Sequence, residues 1–294
     1  MKNYLTFDIG GTEIKYGVIT EDYTILIKGS FPSKGTLGGK YILDDIILKA
    51  SELKSYKPQG IAISSAGVVN SITGEILSAT NTIVDYIGMN VIEYIQERTN
   101  LPVSILNDVN SMALCESTLG AVKDAKIAIA LTIGTGIGGS IIINNRVFEG
   151  AGFNAGEFGL MKINELSFES LASTSALVSS VQKAFDASVK NGVEVFKLYD
   201  NNEPEVVKQV HLFFDYLSTG IANLSYAFNP DVIVIGGGIT SRDSLISEIY
   251  AYLEPKLTTH LRKYTKLSAA KFRNDAGMIG AFIHFKNSHD LIVT

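Results

Sequence analysis

Asp8 lies near the end of an apolar run, Tyr4-Leu-Thr-Phe-Asp8-Ile, beside the turn Gly10-Gly11-Thr12. A carboxylate in that position suits a magnesium ion or its water shell, and Lys15, just past the turn, is near enough in sequence to meet a phosphate. The pattern recurs in the middle of the chain. The run Ile127 to Leu131 leads into Thr132-Ile-Gly134-Thr135-Gly136-Ile-Gly138-Gly139-Ser140. Glycine puts no Cβ between its backbone N–H and a ligand, so two such turns facing each other could clamp a polyphosphate. Either turn alone would read as an ordinary hairpin bend; the matched pair indicates a nucleotide-using protein.

Three further positions carry carboxylates in suggestive settings. Asn107-Asp108 ends the run Val103 to Leu106 and opens a helical pattern. An Asp there either caps the helix or serves as a base presented from a rigid support. Glu157 lies among glycines in Gly150-Ala-Gly152-Phe-Asn154-Ala-Gly156-Glu157-Phe-Gly159-Leu160. The alternatives are a solvent-facing side chain on a loop and a loop kept small for the close approach of a ligand. Glu169 precedes the apolar pattern starting at Leu171, where a first-turn carboxylate would also meet the positive end of a helix. His211, His260, His284 and His289 fall outside these motifs, show no metal-ligand spacing and receive no role.

The elements that must hold these residues alternate between strand and helix. Tyr4 to Phe7, Ile14 to Ile19 and Thr24 to Ser30 resemble a three-strand meander. The spacing then predicts a helix over Ile42 to Ser55, a buried strand Gly60 to Ser64, and a loop around Ala66 to Thr82. A helix at Val91 to Arg98, the strand Val103 to Leu106 and a helix at Val109 to Leu119 follow. From Ile127 the strand, glycine turn and strand opening repeats, which suggests a duplicated nucleotide-holding module. Later elements are a helix from Leu171 through Asn191, a long helix Val206 to Phe228 stopped by Asn229-Pro230, and a strand Asp231 to Ile235 ending at Gly236-Gly237-Gly238. Helices at Ser244 to Leu257 and Asp275 to Phe285 complete the pattern, which is that of an α/β protein.

A chain of 294 residues is large enough for two cores, and 46% hydrophobic with 19% charged residues is a globular composition. No apolar stretch reaches the ~20 residues that a bilayer span needs, and no leader pattern opens the chain, so a cytoplasmic protein is expected. The single cysteine, Cys115, excludes an internal disulfide and a multi-cysteine metal cage. A net charge of −5 offers no general attraction to nucleic acid or to an anionic membrane, so neither is an expected partner.

The segments Asp8-Ile-Gly-Gly-Thr12, Ile61-Ala-Ile-Ser-Ser-Ala-Gly67, Pro102-Val103 with Asn107-Asp108, Gly134-Thr-Gly-Ile-Gly138, Gly156-Glu-Phe-Gly159, Gly236-Gly-Gly238 and Asn274-Asp-Ala-Gly277 occur in one order along essentially the whole chain. Together they resemble the ROK (repressor, open reading frame, kinase) sugar kinases, within the actin-like ATPase superfamily. The resemblance implies an α/β, duplicated ribonuclease H-like fold of two domains with an interdomain cleft, here residues 1–108 plus 279–294, and residues 109–278. It implies ATP-dependent phosphorylation of a sugar with Asp108 as general base. Asn107, Glu157 and Glu169 would hold other ring hydroxyls, with the Ser64 to Gly67 loop, Ser65 and Gly67 included, alongside. Gly10, Gly11, Thr12, Lys15, Thr132, Gly134, Thr135, Gly136 and Gly138 would surround the ATP phosphates, Asp8 would hold magnesium through water, and Gly237 and Gly238 would lie by the adenosine. Domain closure would exclude water, and a homodimer is implied by analogy.

The departures from the family pattern are as specific as the matches. Many members carry His directly after Glu-x-Gly and a cysteine cluster downstream, which together bind structural zinc. Here Leu160 replaces that His and no Cys occurs in residues 161–168, so no zinc is expected. Among zinc-less relatives the chain looks most like β-glucoside kinases, which phosphorylate the 6-hydroxyl of a glucose unit with a substituted anomeric oxygen, and loss of the imidazole could make room for that substituent. N-acetylmannosamine kinase and glucokinase are the alternatives within the enzyme class. A sugar-sensing transcriptional regulator of the same family is the alternative outside it, disfavoured by the negative charge and by the seven residues that precede Asp8.

Overall fold

The computed structural model describes residues 1–79 and 82–290. The chain divides into two compact units. One comprises Met1–Thr118, Glu149–Ala155 and the chain from Asn274 onward; the other comprises Leu119–Phe148 and Gly156–Arg273.

The first unit opens with β1 (Asn3–Ile9), β2 (Glu13–Thr20) and β3 (Ile25–Pro32), followed by α1 (Gly39–Glu52), β4 (Pro58–Ser65), the short hairpin β5 (Val68–Val69) and β6 (Ile76–Ser78), α2 (Val91–Thr99), β7 (Val103–Asn107) and α3 (Asp108–Thr118). Its sheet runs β3-β2-β1-β4-β7, antiparallel within the meander and parallel from β1 through β4 to β7. Alternation along β1 sorts its side chains by face. Leu5, Phe7 and Ile9 join Ile42, Leu43 and Ile46 of α1 in a fully buried core.

The second unit contains β8 (Ile127–Ile133), β9 (Ile137–Ile143), β10 (Arg146–Val147), the hairpin β11 (Lys162–Ile163) and β12 (Leu166–Ser167), and the helices α4 (Phe168–Ala172), α5 (Thr174–Ala184), α6 (Gly192–Asp200) and α7 (Pro204–Phe228). After these come β13 (Val232–Gly236), α8 (Leu245–Leu253), α9 (Thr259–Arg262) and β14 (Leu267–Ala269). Its sheet, β10-β9-β8-β13-β14, repeats the first one strand for strand in order and sense. This is the duplicated ribonuclease H-like arrangement of the actin-like ATPase fold. The last helix, α10 (Ala276–Asp290), belongs to the first unit, where Phe282 and Phe285 pack on the Tyr4 ring.

A close helix contact explains why the division runs differently from the expected 1–108 plus 279–294. A Cβ on Gly280 of α10 would stand 1.7 Å from the Ser111 carbonyl oxygen, so the backbones of α3 and α10 are in direct contact. That contact keeps α3 with the first unit and moves the boundary from Asp108 to Thr118. Residues 291–294 of the expected first domain lie outside the described residues.

The element expectations hold for the strands and need revision for some helices. The stretch Leu171 to Asn191 is not one helix. Ser173 caps α5 through the Ala176 N–H, α5 stops at Ala184, and Asn191 opens a separate helix, α6, by accepting from the Glu194 N–H. The Ser244 to Leu257 helix ends at Leu253, beyond which Pro255 sits in a 3-10 turn. The loop over residues 66–82 contains the β5-β6 hairpin, and its residues 80 and 81 lie outside the described residues.

Candidate active site

In the first unit, Asp8 is flanked in register by Lys15 on β2 and by Ser64 on β4. Ser64 Oγ donates to Asp8 Oδ1 at 2.6 Å, and Lys15 Nζ lies 3.6 Å from Asp8 Oδ2. Most of this carboxylate is covered, its side chain being 18% exposed. The following turn is tied down from outside. The Gly10 N–H donates to the Glu13 carbonyl, Ser33 Oγ donates to the Gly11 carbonyl at 2.7 Å, and the Ser33 N–H donates to the Thr12 carbonyl. A carboxylate paired with an ammonium beside a braced turn can hold a hydrated cation together with a phosphate.

Asn107 and Asp108 share the work at the end of β7. Asn107 Oδ1 accepts from the N–H groups of Val109 and Asn110, so Asn107 is the residue that caps α3. Its amide nitrogen donates to the Gly67 carbonyl at 2.9 Å and to Asp108 Oδ1 at 3.0 Å. Asp108 Oδ1 also accepts from the Val109 N–H at 2.9 Å. Two donors thus fix the orientation of the Asp108 carboxylate, and the cap reading proposed for it passes mainly to its neighbour. Gly67 has φ +97°, and a Cβ there would stand 2.5 Å from the Ser78 carbonyl, so backbone geometry demands glycine at this position.

Ser65 departs from its expected place beside a substrate. Its side chain is fully buried, with its hydroxyl on the Ala66 carbonyl and 2.9 Å from the Tyr86 hydroxyl. Burial pushes the Tyr86 phenol up to about 12, so it stays protonated at neutral pH. Ser65 therefore braces the loop from behind.

In the second unit, the turn Gly134-Thr135-Gly136 is closed by the Gly134 N–H donating to the Gly136 carbonyl. The Gly134 carbonyl in turn accepts from the Thr174 N–H, the first residue of α5. Glu169 lies against this turn. Its Oε2 would be 2.6 Å from a Cβ on Gly136 and 3.2 Å from one on Gly159, and it accepts from the Ile137 N–H at 3.4 Å. Glu157 is its neighbour: the Glu157 carboxyl is raised above the ordinary range, first by loss of hydration and second by the Glu169 charge. The structure thus brings together Glu157, Glu169 and the glycine turn.

Two expectations in this unit require correction. Gly138 lies inside β9, paired with Thr132 of β8, and not in the turn with Gly134 and Gly136. The glycines around Glu157 also have a folding reason that needs no ligand. Gly156, at φ +99°, sits where a Cβ would be 2.6 Å from the Gly139 carbonyl, and a Cβ on Gly159 would be 2.2 Å from the Ile137 carbonyl. The loop packs its backbone directly onto β9.

Gly134 and Thr135 open onto a cavity of about 760 Å³ that also reaches Gly238. Gly237, at φ +91°, turns the chain out of β13 beside the Ile133 carbonyl. The rest of the wall comes from α5, α6 and the segment after β13, with Gln182, Phe196, Asp200 and Arg242 among its residues. Arg242 holds this wall together. Its guanidinium donates to both oxygens of Asp200 and both of Glu248, and it lies 4.8 Å from the Phe196 ring centroid. Sequence reasoning missed this wall because the expected helix ran on to Asn191 and no helix was assigned to the stretch that forms α6. The pair Asn191 and Glu194, spaced as a helix start, was the available signal.

Comparison with known proteins agrees along the full length. The ROK family pattern matches residues 4–288. A β-glucoside kinase of Listeria monocytogenes is 34% identical over 97% of this chain and 98% of its own length. Among solved structures, a Listeria monocytogenes protein provisionally described as an N-acetylmannosamine kinase superposes with TM-score 0.88 at 33% identity, covering 98% of this chain and 99% of that one. A ROK hexokinase from Thermus thermophilus superposes with TM-score 0.84 at 25% identity, covering 98% and 99%.

Proposed function

Because the chain belongs to the ROK family, we propose that it is an ATP-dependent sugar kinase that phosphorylates the 6-hydroxyl of a glucose unit in a β-glucoside, with Asp108 as general base. The observation that carries this reading is the Asp108 carboxylate. It sits at the carboxyl end of β7, the parallel strand that closes one edge of the sheet, oriented by Asn107 and Val109, with the helix cap supplied by another side chain. In open α/β sheets that strand end is where ligands bind.

The remaining roles follow from each residue's surroundings. Gly134 and Thr135 leave room for phosphate at the mouth of a cavity that falls within the ~300–1,000 Å³ typical of small-molecule sites. Asp8 suits magnesium, which takes one or two carboxylates and completes its shell with water and phosphate oxygens. Among the described residues no group of three or more His, Cys, Asp or Glu comes together to hold a metal. Magnesium, when bound, neutralises phosphate charge. Asp108 removes the proton from the attacking hydroxyl, and Asn107, Glu157 and Glu169 orient the sugar. Phosphoryl transfer needs little covalent help, so positioning and charge supply most of the acceleration.

The β-glucoside preference is supported by the Listeria relative and by Leu160. This side chain, where many relatives carry a zinc-binding His, is 60% exposed and leaves an apolar surface suited to an aglycone. The same reading has no structural zinc, a homodimeric assembly, a cytoplasmic location, and neither nucleic acid nor membrane as partner. No described helix is long and apolar enough to cross a membrane. Release of ADP measured with glucose, cellobiose, an aryl β-glucoside and N-acetylmannosamine tests the proposal. Turnover of glucose without cellobiose or the aryl glucoside rejects the substrate class. The N-acetylmannosamine arm tests the second reading, which the Listeria structure's description favours.

A further inference from the structure

We infer that Gly277 is a positioning residue for Asp8. A Cβ at Gly277, in the first turn of α10, would stand 2.7 Å from both Cγ and Oδ1 of Asp8 and 2.9 Å from Oδ2, and Asp8 supplies all three of the nearest atoms. Gly277 is absent from the residues with positive φ, so its backbone is one that alanine adopts freely. The glycine is therefore required by the space that the carboxylate occupies and not by the conformation of the helix.

The contact completes an enclosure. Within the sheet, Asp8 is held on one side by Ser64, which donates to Oδ1, and on the other by Lys15, which faces Oδ2. Helix α10 covers the third side, with no side chain between its backbone and the carboxylate. Atoms in ordinary contact lie about 3.5–4.0 Å apart, so a methyl group here displaces the carboxylate by about 1 Å. The displacement breaks the Ser64 hydrogen bond or the Lys15 pairing. The inference rests on the proposed role of Asp8 toward the magnesium nucleotide; it adds that α10 sets where that carboxylate stands.

The test is a cycle of Gly277→Ala, Asp8→Ala and the double variant in the full-length chain. It is read by thermal melting, by calorimetric titration of ADP with magnesium and with EDTA, and by steady-state kinetics. Alanine is a better helix former than glycine, so Gly277→Ala is expected to melt no more than slightly below the parent. It should bind ADP normally in EDTA, lose the gain in ADP affinity that magnesium brings, and show kcat lowered about 100-fold with sugar KM unchanged, as for a misplacement of about 1 Å. In the Asp8→Ala background the added methyl should change nothing, because the atoms it displaces are gone. If the single variant folds poorly, the double variant should recover its melting temperature. A magnesium-dependent gain in Gly277→Ala equal to the parent's, or losses that add in the double variant, would overturn the inference. Should the parent phosphorylate no sugar at all, the proposed function fails, and the magnesium-dependent ADP titrations still decide the role of Gly277.

Discussion

The turn between β1 and β2 and the turn between β8 and β9 hold the same place in two sheets of one topology, yet they are built from different chemistry. In the first, Asp8 is paired with Lys15 across the hairpin and with Ser64 on the parallel side. At the corresponding positions of the second, Thr132 is paired with Gly138 and Gly236. The second turn is also one residue shorter, since Gly10 to Glu13 separates the last paired isoleucines of the first and Gly134 to Gly136 those of the second. Lys15 and Ser64, the two in-register neighbours of Asp8, correspond to glycines in the second unit. Duplication thus preserved the backbone bend and let its surroundings diverge. One copy presents a charged seat; the other presents open space at Gly134, beside a cavity, with the Glu169 carboxylate against Gly136.

If that contrast is right, removing charge in the first unit and adding bulk in the second must fail in different ways. The largest effect is expected from Asp108→Asn, which keeps the acceptor for Val109 and removes the base. General-base catalysis is typically worth about 100- to 10,000-fold, so kcat should fall by that order while ADP titrations remain unchanged. A loss of less than tenfold, about 1.4 kcal/mol, would show the base to be misassigned.

Next in size is Gly156→Ala. The left-handed backbone and the Gly139 carbonyl both oppose a side chain there, and strain of this kind destabilises by about 1–3 kcal/mol. Chemical denaturation should show it as a lower midpoint. An unchanged midpoint would return Gly156 to the list of glycines kept small for a ligand.

Gly134→Ala sharpens the comparison most directly. No atom lies within 4 Å of a Cβ at Gly134, whereas one at Gly10 meets the Glu13 carbonyl at 3.0 Å. The Gly134 variant should melt like the parent and show KM for ATP raised about tenfold, equivalent to about 1.4 kcal/mol of lost binding. A lowered melting temperature with unchanged KM would mean that this turn serves the fold and not the nucleotide.

The smallest effect concerns the Glu157 and Glu169 pair of the second unit. Loss of hydration and the Glu169 charge raise the Glu157 carboxyl above its unfolded value, so the folded state binds that proton more tightly. The resulting penalty on stability is absent below the unfolded value of 4.5, grows as pH rises above it and is complete beyond the raised folded value. Glu157→Gln should therefore raise the melting temperature at neutral pH and leave it unchanged near pH 4. Thermal scans across that range check the sign.

Much of this architecture was legible in the chain because its signals are local. Apolar runs beside Gly10-Gly11 and Gly134-Thr135-Gly136 marked two strand-turn-strand openings, and Asn229-Pro230 marked the end of α7. The helix break between α5 and α6 was harder to see. Ser173 and Asn191 each accept from a backbone N–H three residues on, a weak local signal that the surrounding helical periodicity obscured.

By itself the chain determined the strand-turn-strand repeats, the carboxylates at strand ends and, through their order, the family. Only the tertiary structure decided which residue does which work. It gave the helix cap to Asn107 and left Asp108 oriented by two donors, buried the Ser65 hydroxyl against Tyr86, placed Gly138 within a strand, and set the backbone of α10 against Asp8 at Gly277. The reason is range: a turn or a cap is specified by a few neighbouring residues, whereas the space around a side chain is set by backbone that arrives from hundreds of residues away.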